Sequence, residues 1–195
     1  DILVASSAAS ANYNINYNHG SLVIGKVTLA VTANNQSRIY GDANPTLTYA
    51  VTGYVNGETS SLLTGAPSIS TAASTTSNVG NYTITSAANN LSATNYQFSY
   101  ANGSLTVTPK SLTITANARS TTYGTVVTTG SGSTLFTSSG LINSDAVNTV
   151  TIATNQSVTT NAGTSSITVT PSAAVGTGLS NYSITYNTGA VTINK

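Results

Sequence analysis

The sequence predicts an all-β fold built from tandem β-sandwich modules. A tail motif occurs three times, and apolar residues alternate with threonine in many segments, such as Leu112-Thr113-Ile114-Thr115. Alternation of this kind is typical of a strand with one buried face. The three copies of the tail begin at Asn12-Tyr13, Asn95-Tyr96 and Asn181-Tyr182, and they close at Lys26, Lys110 and Lys195.

The spacing of the closing lysines sets the size of the repeat. It is 84 residues from Lys26 to Lys110 and 85 from Lys110 to Lys195, which is longer than the roughly 20–50 residues of a solenoid repeat. A unit of this size can enclose its own core. We therefore predict one module at residues 27–110 and a second at 111–195, with residues 1–26 forming the C-terminal hairpin of a preceding repeat.

Each module is predicted to end in a β-hairpin. Val, Ile, Thr and Tyr favour strands, and Gly20, Gly103 and Gly189 stand where a tight turn needs a positive φ. The first hairpin strand places Tyr96, Phe98 and Tyr100, or their counterparts, on one face, which we expect to be core. Other predicted strands lie near 47–51, 68–71 and 82–85 in the first module, and near 147–152 and 166–170 in the second.

The remaining pattern leaves little room for helix. Only the segment 58–63, Glu-Thr-Ser-Ser-Leu-Leu, has the character of a helical turn. The resulting prediction is a pair of immunoglobulin-like β-sandwiches with one short helical turn each. Modules of a β-grasp-like α+β type are the alternative.

Composition limits the function. The chain has 195 residues with no Cys, Met or Trp, 5% charged residues and a net charge of +1. It therefore lacks thiolate metal sites and disulfides, and it has no basic stripe for nucleic acid or anionic membranes. No apolar run approaches the roughly 18 residues of a membrane span.

The titratable residues indicate structural roles. His19, the single histidine, stands in a predicted hairpin turn, and we expect it to belong to that turn rather than to act as a catalytic base. Asp42 is expected to cap the Tyr-Gly turn that precedes it. Glu58 and Asp145 occupy equivalent places and are expected at the N-terminal end of a short helical turn. The three lysines mark the polar junctions between modules.

No catalytic, cofactor-binding or metal-ligating residue is therefore predicted. The acids are too few for a calcium site or a carboxylate pair. The eleven tyrosines could stack on sugars, yet their repeated strand positions favour packing in the core.

The order of motifs in residues 27–110 resembles a known family. The motifs are the strand Leu29–Val31, Tyr40-Gly41-Asp42-Ala43-Asn44-Pro45, Gly53-Tyr54-Val55-Asn56-Gly57-Glu58, Val79-Gly80-Asn81-Tyr82 and the Asn95-Tyr96 tail. They are similar to MBG modules of the Tyr-Gly type and to the related YDG modules. The second module keeps Tyr123-Gly124 but continues with Thr125-Val126. Such modules recur in very large bacterial surface proteins, including adhesins similar to filamentous haemagglutinin that are exported by two-partner secretion.

The resemblance implies an extracellular place on the bacterial cell surface and no enzymatic reaction. The predicted function is an extended stalk in an adhesin that serves cell adhesion or biofilm formation. A module that binds glycan or polysaccharide and a self-assembling fibre subunit are the alternatives. The expected partners are the neighbouring modules of the same polypeptide, with extracellular polysaccharide or a second copy as further candidates, and neither nucleic acid nor membrane insertion.

Overall fold

The computed structural model describes residues 2–3, 8–18 and 20–195. Ahead of the modules, β1 (Ile2–Leu3) pairs antiparallel with β2 (Gly20–Ser21). Within the described part of the chain, no helix is long and apolar enough to cross a membrane.

The first module is a sandwich of two sheets. One sheet has the order β5-β3-β8 and the other β4-β9-β7-β6. The strands are β3 (Val27–Ala33), β4 (Gln36–Ile39), β5 (Tyr49–Thr52), β6 (Ser68–Thr71), β7 (Gly80–Ala87), β8 (Tyr96–Ala101) and β9 (Gly103–Thr108).

The second module repeats this topology and adds one edge strand. Its sheets have the orders β13-β10-β16 and β11-β17-β15-β14-β12, where β12 is the addition. The strands are β10 (Lys110–Ala116), β11 (Arg119–Thr122), β12 (Gly130–Ser133), β13 (Phe136–Ser139), β14 (Ala146–Thr154), β15 (Thr168–Thr177), β16 (Tyr182–Asn187) and β17 (Gly189–Asn194).

The all-β sandwich prediction is confirmed. The helices in the described residues are two single 3-10 turns, Ser60–Leu62 and Leu179–Asn181, which gives no support to an α+β module. The first of these turns falls in the segment that the sequence marks as helical. The predicted strand at 68–71 coincides with β6, and the others overlap β5, β7, β14 and β15.

The terminal hairpins predicted for the two modules are wrong, because β8 and β9 belong to opposite sheets, and so do β16 and β17. The chain crosses from one sheet to the other at Asn102, whose Oδ1 accepts the backbone N–H of Ser86 at 3.0 Å. Gly103 does not have a positive φ. It is required for another reason, since a Cβ there would lie 2.5 Å from the carbonyl oxygen of Ala33. Gly189 meets Ala116 in the same way, at 2.4 Å.

Two parallel strand pairs define the ends of the module. β3 pairs with β8, with Val27 opposite Tyr96, and β4 pairs with β9, with Ile39 opposite Thr108. The register difference is the same in both pairs, so residues 27–39 and 96–108 run side by side. One end of the module therefore holds Val27 and Tyr96, and the other end holds Ile39 and Thr108.

Alternation along the strands builds the core. Beyond the first residues of the central strands, buried residues alternate with more exposed ones, in agreement with the predicted pattern. The tyrosine face is buried at Tyr96 and Tyr182 and half-buried further along each strand, whereas Tyr13 and Tyr17 are exposed. The buried aliphatic residues include Leu29, Val31, Leu105, Val107, Leu112, Ile114, Val191 and Ile193.

Candidate functional site

The two modules are connected by a single residue. β9 ends at Thr108 and β10 begins at Lys110, which leaves Pro109 as the link. Proline fixes φ and restricts the residue before it. The facing ends of the modules are consequently close to each other, and the contact between them is the candidate functional site, which we call the joint.

The first module contributes its Tyr-Gly turn, formed by Tyr40 and Gly41. The backbone N–H of Tyr40 donates to the carbonyl oxygen of Thr108 at 2.9 Å, and that of Asp42 donates to Ile39 at 3.1 Å. Gly41 has a φ of +87°, a region that favours glycine. A Cβ on Gly41 would lie 1.9 Å from Cδ1 of Ile142, which shows how closely the second module packs against the turn.

The second module receives Tyr40 with an aspartate and a tyrosine. Oδ2 of Asp145 accepts the hydroxyl of Tyr40 at 3.0 Å and the hydroxyl of Tyr182 at 2.7 Å. The two rings meet edge to face, with centroids 5.7 Å apart and an interplanar angle of 81°, a favourable aromatic geometry. Tyr40 is 3% exposed and belongs to the same buried cluster as the core of the second module.

An asparagine closes the polar side of the joint. Asn181 is buried, its Oδ1 accepts the backbone N–H of Val79 at 2.9 Å, and its Nδ2 donates to Oδ1 of Asn78 at 3.0 Å. Buried polar groups are costly unless they are hydrogen-bonded. Separation of the modules would break these pairs, so they favour one fixed arrangement.

Burial and the carboxylate of Asp145 both act on the hydroxyl of Tyr182. Burial, together with the hydrogen bond to Asp145, raises the pKa of Tyr182 to about 12. Tyr182 therefore stays protonated and keeps donating to Asp145 throughout the neutral range. The backbone N–H of Ile142 donates to the same hydroxyl at 3.0 Å.

The first module has a corresponding tyrosine–acid pair at its opposite end, formed by Tyr96 and Glu58, and we call this group the socket. The hydroxyl of Tyr96 donates to Oε2 of Glu58, and the N–H of Val55 donates to that hydroxyl at 3.2 Å. The hydrogen bond to Glu58 raises the pKa of Tyr96. The loop that carries the acid, which we call the receptor loop, spans residues 55–58 in the first module and 142–145 in the second. It has a left-handed residue at the same place in both, since Asn56 and Asn143 have φ values of 55° and 54°.

The predicted roles of the two acids at helix N-termini are therefore wrong. The 3-10 turn after Glu58 is capped by Thr59 and has no acid in its first turn, and Asp145 is followed directly by β14. Both carboxylates instead accept tyrosine hydroxyls. The equivalence of the two positions could be read from the sequence, but the tyrosine partners could not, because they are 37 or more residues away.

The predicted cap by Asp42 is also wrong. Asp42 is exposed, and within residues 20–195 its carboxylate makes no hydrogen bond. The side chain that braces this loop is Asn44, which donates to Ala73 O at 2.7 Å and accepts from Nε of Arg38 at 2.8 Å. Arg38 is buried. Neither role is predicted from the sequence, where Asn44 is marked only by the Asp-Ala-Asn-Pro motif and Arg38 by no motif.

The other singled-out residues take no part in the joint's hydrogen bonds. Lys110 is half-buried at the start of β10, and Lys26 lines a cavity beside the socket. His19 lies outside the described residues. Among the residues that the structure does describe, no group of three His, Cys, Asp or Glu could hold a metal ion.

A comparison with protein-family models identifies the domain type of both modules. The family model of the MBG domain (YGX type) matches residues 29–106 and residues 112–192. No curated protein matches the chain. Each matched segment contains one Tyr-Gly turn and one receptor loop, so the joint lies between two copies of the family's unit.

Proposed function

Because the chain belongs to the MBG domain family of the YGX type and carries two tandem copies, we propose that it is a non-enzymatic spacer segment of a bacterial adhesin. The adhesin would be on the cell surface or secreted, and the segment would act as an extended stalk in cell adhesion or biofilm formation. A stalk needs modules that hold a constant direction relative to one another. The observation that carries the proposal is the joint, in which Tyr40 is buried between Asp145 and Tyr182.

The position of the contacts supports an extended form. The Tyr-Gly turn lies at the end of the first module that holds Thr108, while the socket lies at the end that holds Val27 and Tyr96. A module that engages its neighbours through opposite ends adds length with each copy. Repetition of one joint would therefore produce a rod.

The engagement of the acids supports a structural role. Glu58 and Asp145 each accept a tyrosine hydroxyl, which holds their carboxylates in fixed contacts within or between modules. Hydrogen bonds to ionised groups are stronger than neutral ones. We accordingly assign these acids to module assembly and propose no reaction for the chain.

Small-angle X-ray scattering of the monomer tests the stalk. A compact globule of 195 residues has a radius of gyration of about 16 Å. We expect a value well above this and a skewed, elongated distance distribution. The Asp145→Ala chain is measured as the control. It contains the same residues 1–26 and differs from wild type only at the joint, so residues 1–26 contribute to both measured radii. A wild-type radius at the globular value would show that the modules fold back on each other, and the stalk proposal would fail.

A further inference from the structure

The socket of the first module opens into a cavity of about 530 Å³. Its walls include Val27, Val55, Glu58, Asn95 and Tyr96. These residues lie at the end of the module away from the joint.

The second module indicates what this cavity binds, because its corresponding residues form the joint. Asp145, Asn181 and Tyr182 stand where the first module has Glu58, Asn95 and Tyr96. In the joint, these three side chains surround and contact the end of the module before them. The cavity is thus lined by the same kinds of side chain that, in the second module, contact the end of the first module.

The socket also shows unused contacts. Asp145 accepts two tyrosine hydroxyls, whereas among the described residues Glu58 accepts only that of Tyr96. Asn181 is 3% exposed, and its counterpart Asn95 is exposed. What is missing at the socket is therefore one tyrosine hydroxyl and one backbone N–H, the groups that Tyr40 and Val79 supply at the joint.

The matching turn is available at the far end of the second module. Gly124 has a φ of +87°, the same as Gly41. The N–H of Tyr123 donates to Asn194 O at 3.0 Å, and that of Thr125 donates to Thr122 O at 3.1 Å, as in the first turn. Thr125-Val126 thus leaves the turn unchanged. Tyr123 is 56% exposed, whereas Tyr40 is 3% exposed.

We propose that the socket binds the Tyr-Gly turn of another MBG module, and that in a second copy of this chain the bound residues are Tyr123 and Gly124. The incoming hydroxyl donates to Glu58, and the ring packs against Tyr96. The contact is head-to-tail and leaves a turn and a socket unfilled at the two ends of each assembly. Contacts of this type generate open filaments unless the rotation closes a ring.

The inference rests on the joint that carries the proposed function, but the inference can fail while the proposed function stands. Scattering from the monomer tests the joint within one chain, and association between chains tests the socket. A stiff monomer that does not associate would leave the stalk in place and remove this inference alone.

Two variants of the full chain test the contact by complementation. Tyr123→Ala removes the turn's side chain and keeps the socket, whereas Asn95→Arg blocks the socket and keeps the turn. Both positions are exposed, so both variants should fold. Sedimentation equilibrium should show that the average mass of the wild-type chain rises above 19.6 kDa as the concentration approaches about 1 mM. Each variant alone should stay at 19.6 kDa, and their mixture should form a 1:1 species of twice that mass.

Three results would overturn the proposal. They are a wild-type chain that stays monomeric at about 1 mM, single variants that still associate, and a mixture that fails to form the 1:1 species. A glycan array gives a further check, since wild-type binding to a glycan that Asn95→Arg abolishes would mean that the cavity takes sugar. Tyr123→Phe, which keeps the ring and loses the hydroxyl, should associate more weakly than wild type but more strongly than Tyr123→Ala.

Discussion

Tyr40→Ala is expected to lower the free energy of unfolding by about 3–5 kcal/mol, the range for truncating a large buried aromatic residue. The substitution empties the centre of the joint, because Tyr40 is 3% exposed and packs with the core of the second module. It also removes one of the two hydroxyls that Asp145 accepts. Urea denaturation followed by circular dichroism measures the change.

Tyr123→Ala is the matched control for this prediction. The turn has the same backbone hydrogen bonds, yet Tyr123 is 56% exposed. Its removal should change the free energy of unfolding by no more than about 0.5 kcal/mol. If both variants lowered the free energy of unfolding equally, Tyr40 would act within its own module, and the joint would not contribute to stability through this residue.

Gly103→Ala is expected to destabilise the first module by about 3 kcal/mol, at the upper end of the range for overpacking. The added Cβ would lie 2.5 Å from Ala33 O and 3.0 Å from Asn34 O. These are backbone atoms at the crossing between the two sheets, so they cannot move aside as a flexible side chain would. Gly189→Ala should have a similar effect on the second module, where Ala116 O would lie 2.4 Å away.

Gly20→Ala provides the control, since Gly20 holds the same place in the first copy of the tail motif. A Cβ on Gly20 would meet nothing within 4 Å. Thermal unfolding should therefore give the same midpoint for Gly20→Ala and wild type. If all three substitutions proved harmless, the close backbone approach at the sheet crossing would be refuted.

The sequence predicted the fold class because strand alternation is a local signal. Leu112, Ile114 and Ala116 are buried on one face of β10 as their spacing requires. The sequence predicts the hairpins wrongly because the pair Asn102-Gly103, and Gly189 at the matching position, are typical of a tight turn. Gly103 is present to admit the carbonyl of Ala33, a partner 70 residues away that no local pattern reveals.

The sequence predicts no site, although the residues that form the joint stand at repeated positions in it. The repetition of Tyr40 and Tyr123, and of Glu58 and Asp145, is visible in the sequence. Their meeting is not, since the hydrogen bond from Tyr40 to Asp145 spans 105 residues and two modules. From the sequence, Glu58 and Asp145 are each expected to interact with nearby backbone at the start of a short helical turn. The structure shows that they are paired with distant hydroxyls.

The fixed joint is tested most directly by a distance measured across it. Thr85 on β7 and Thr192 on β17 are exposed, and the chain has no cysteine, so Thr85→Cys with Thr192→Cys places one spin label on each module. Double electron–electron resonance should give a single narrow distance distribution. Asp145→Ala, which removes the carboxylate that accepts the hydroxyls of both Tyr40 and Tyr182, should broaden it. A distribution that is already broad in the doubly labelled chain with Asp145 intact, and that Asp145→Ala does not change, would contradict the account.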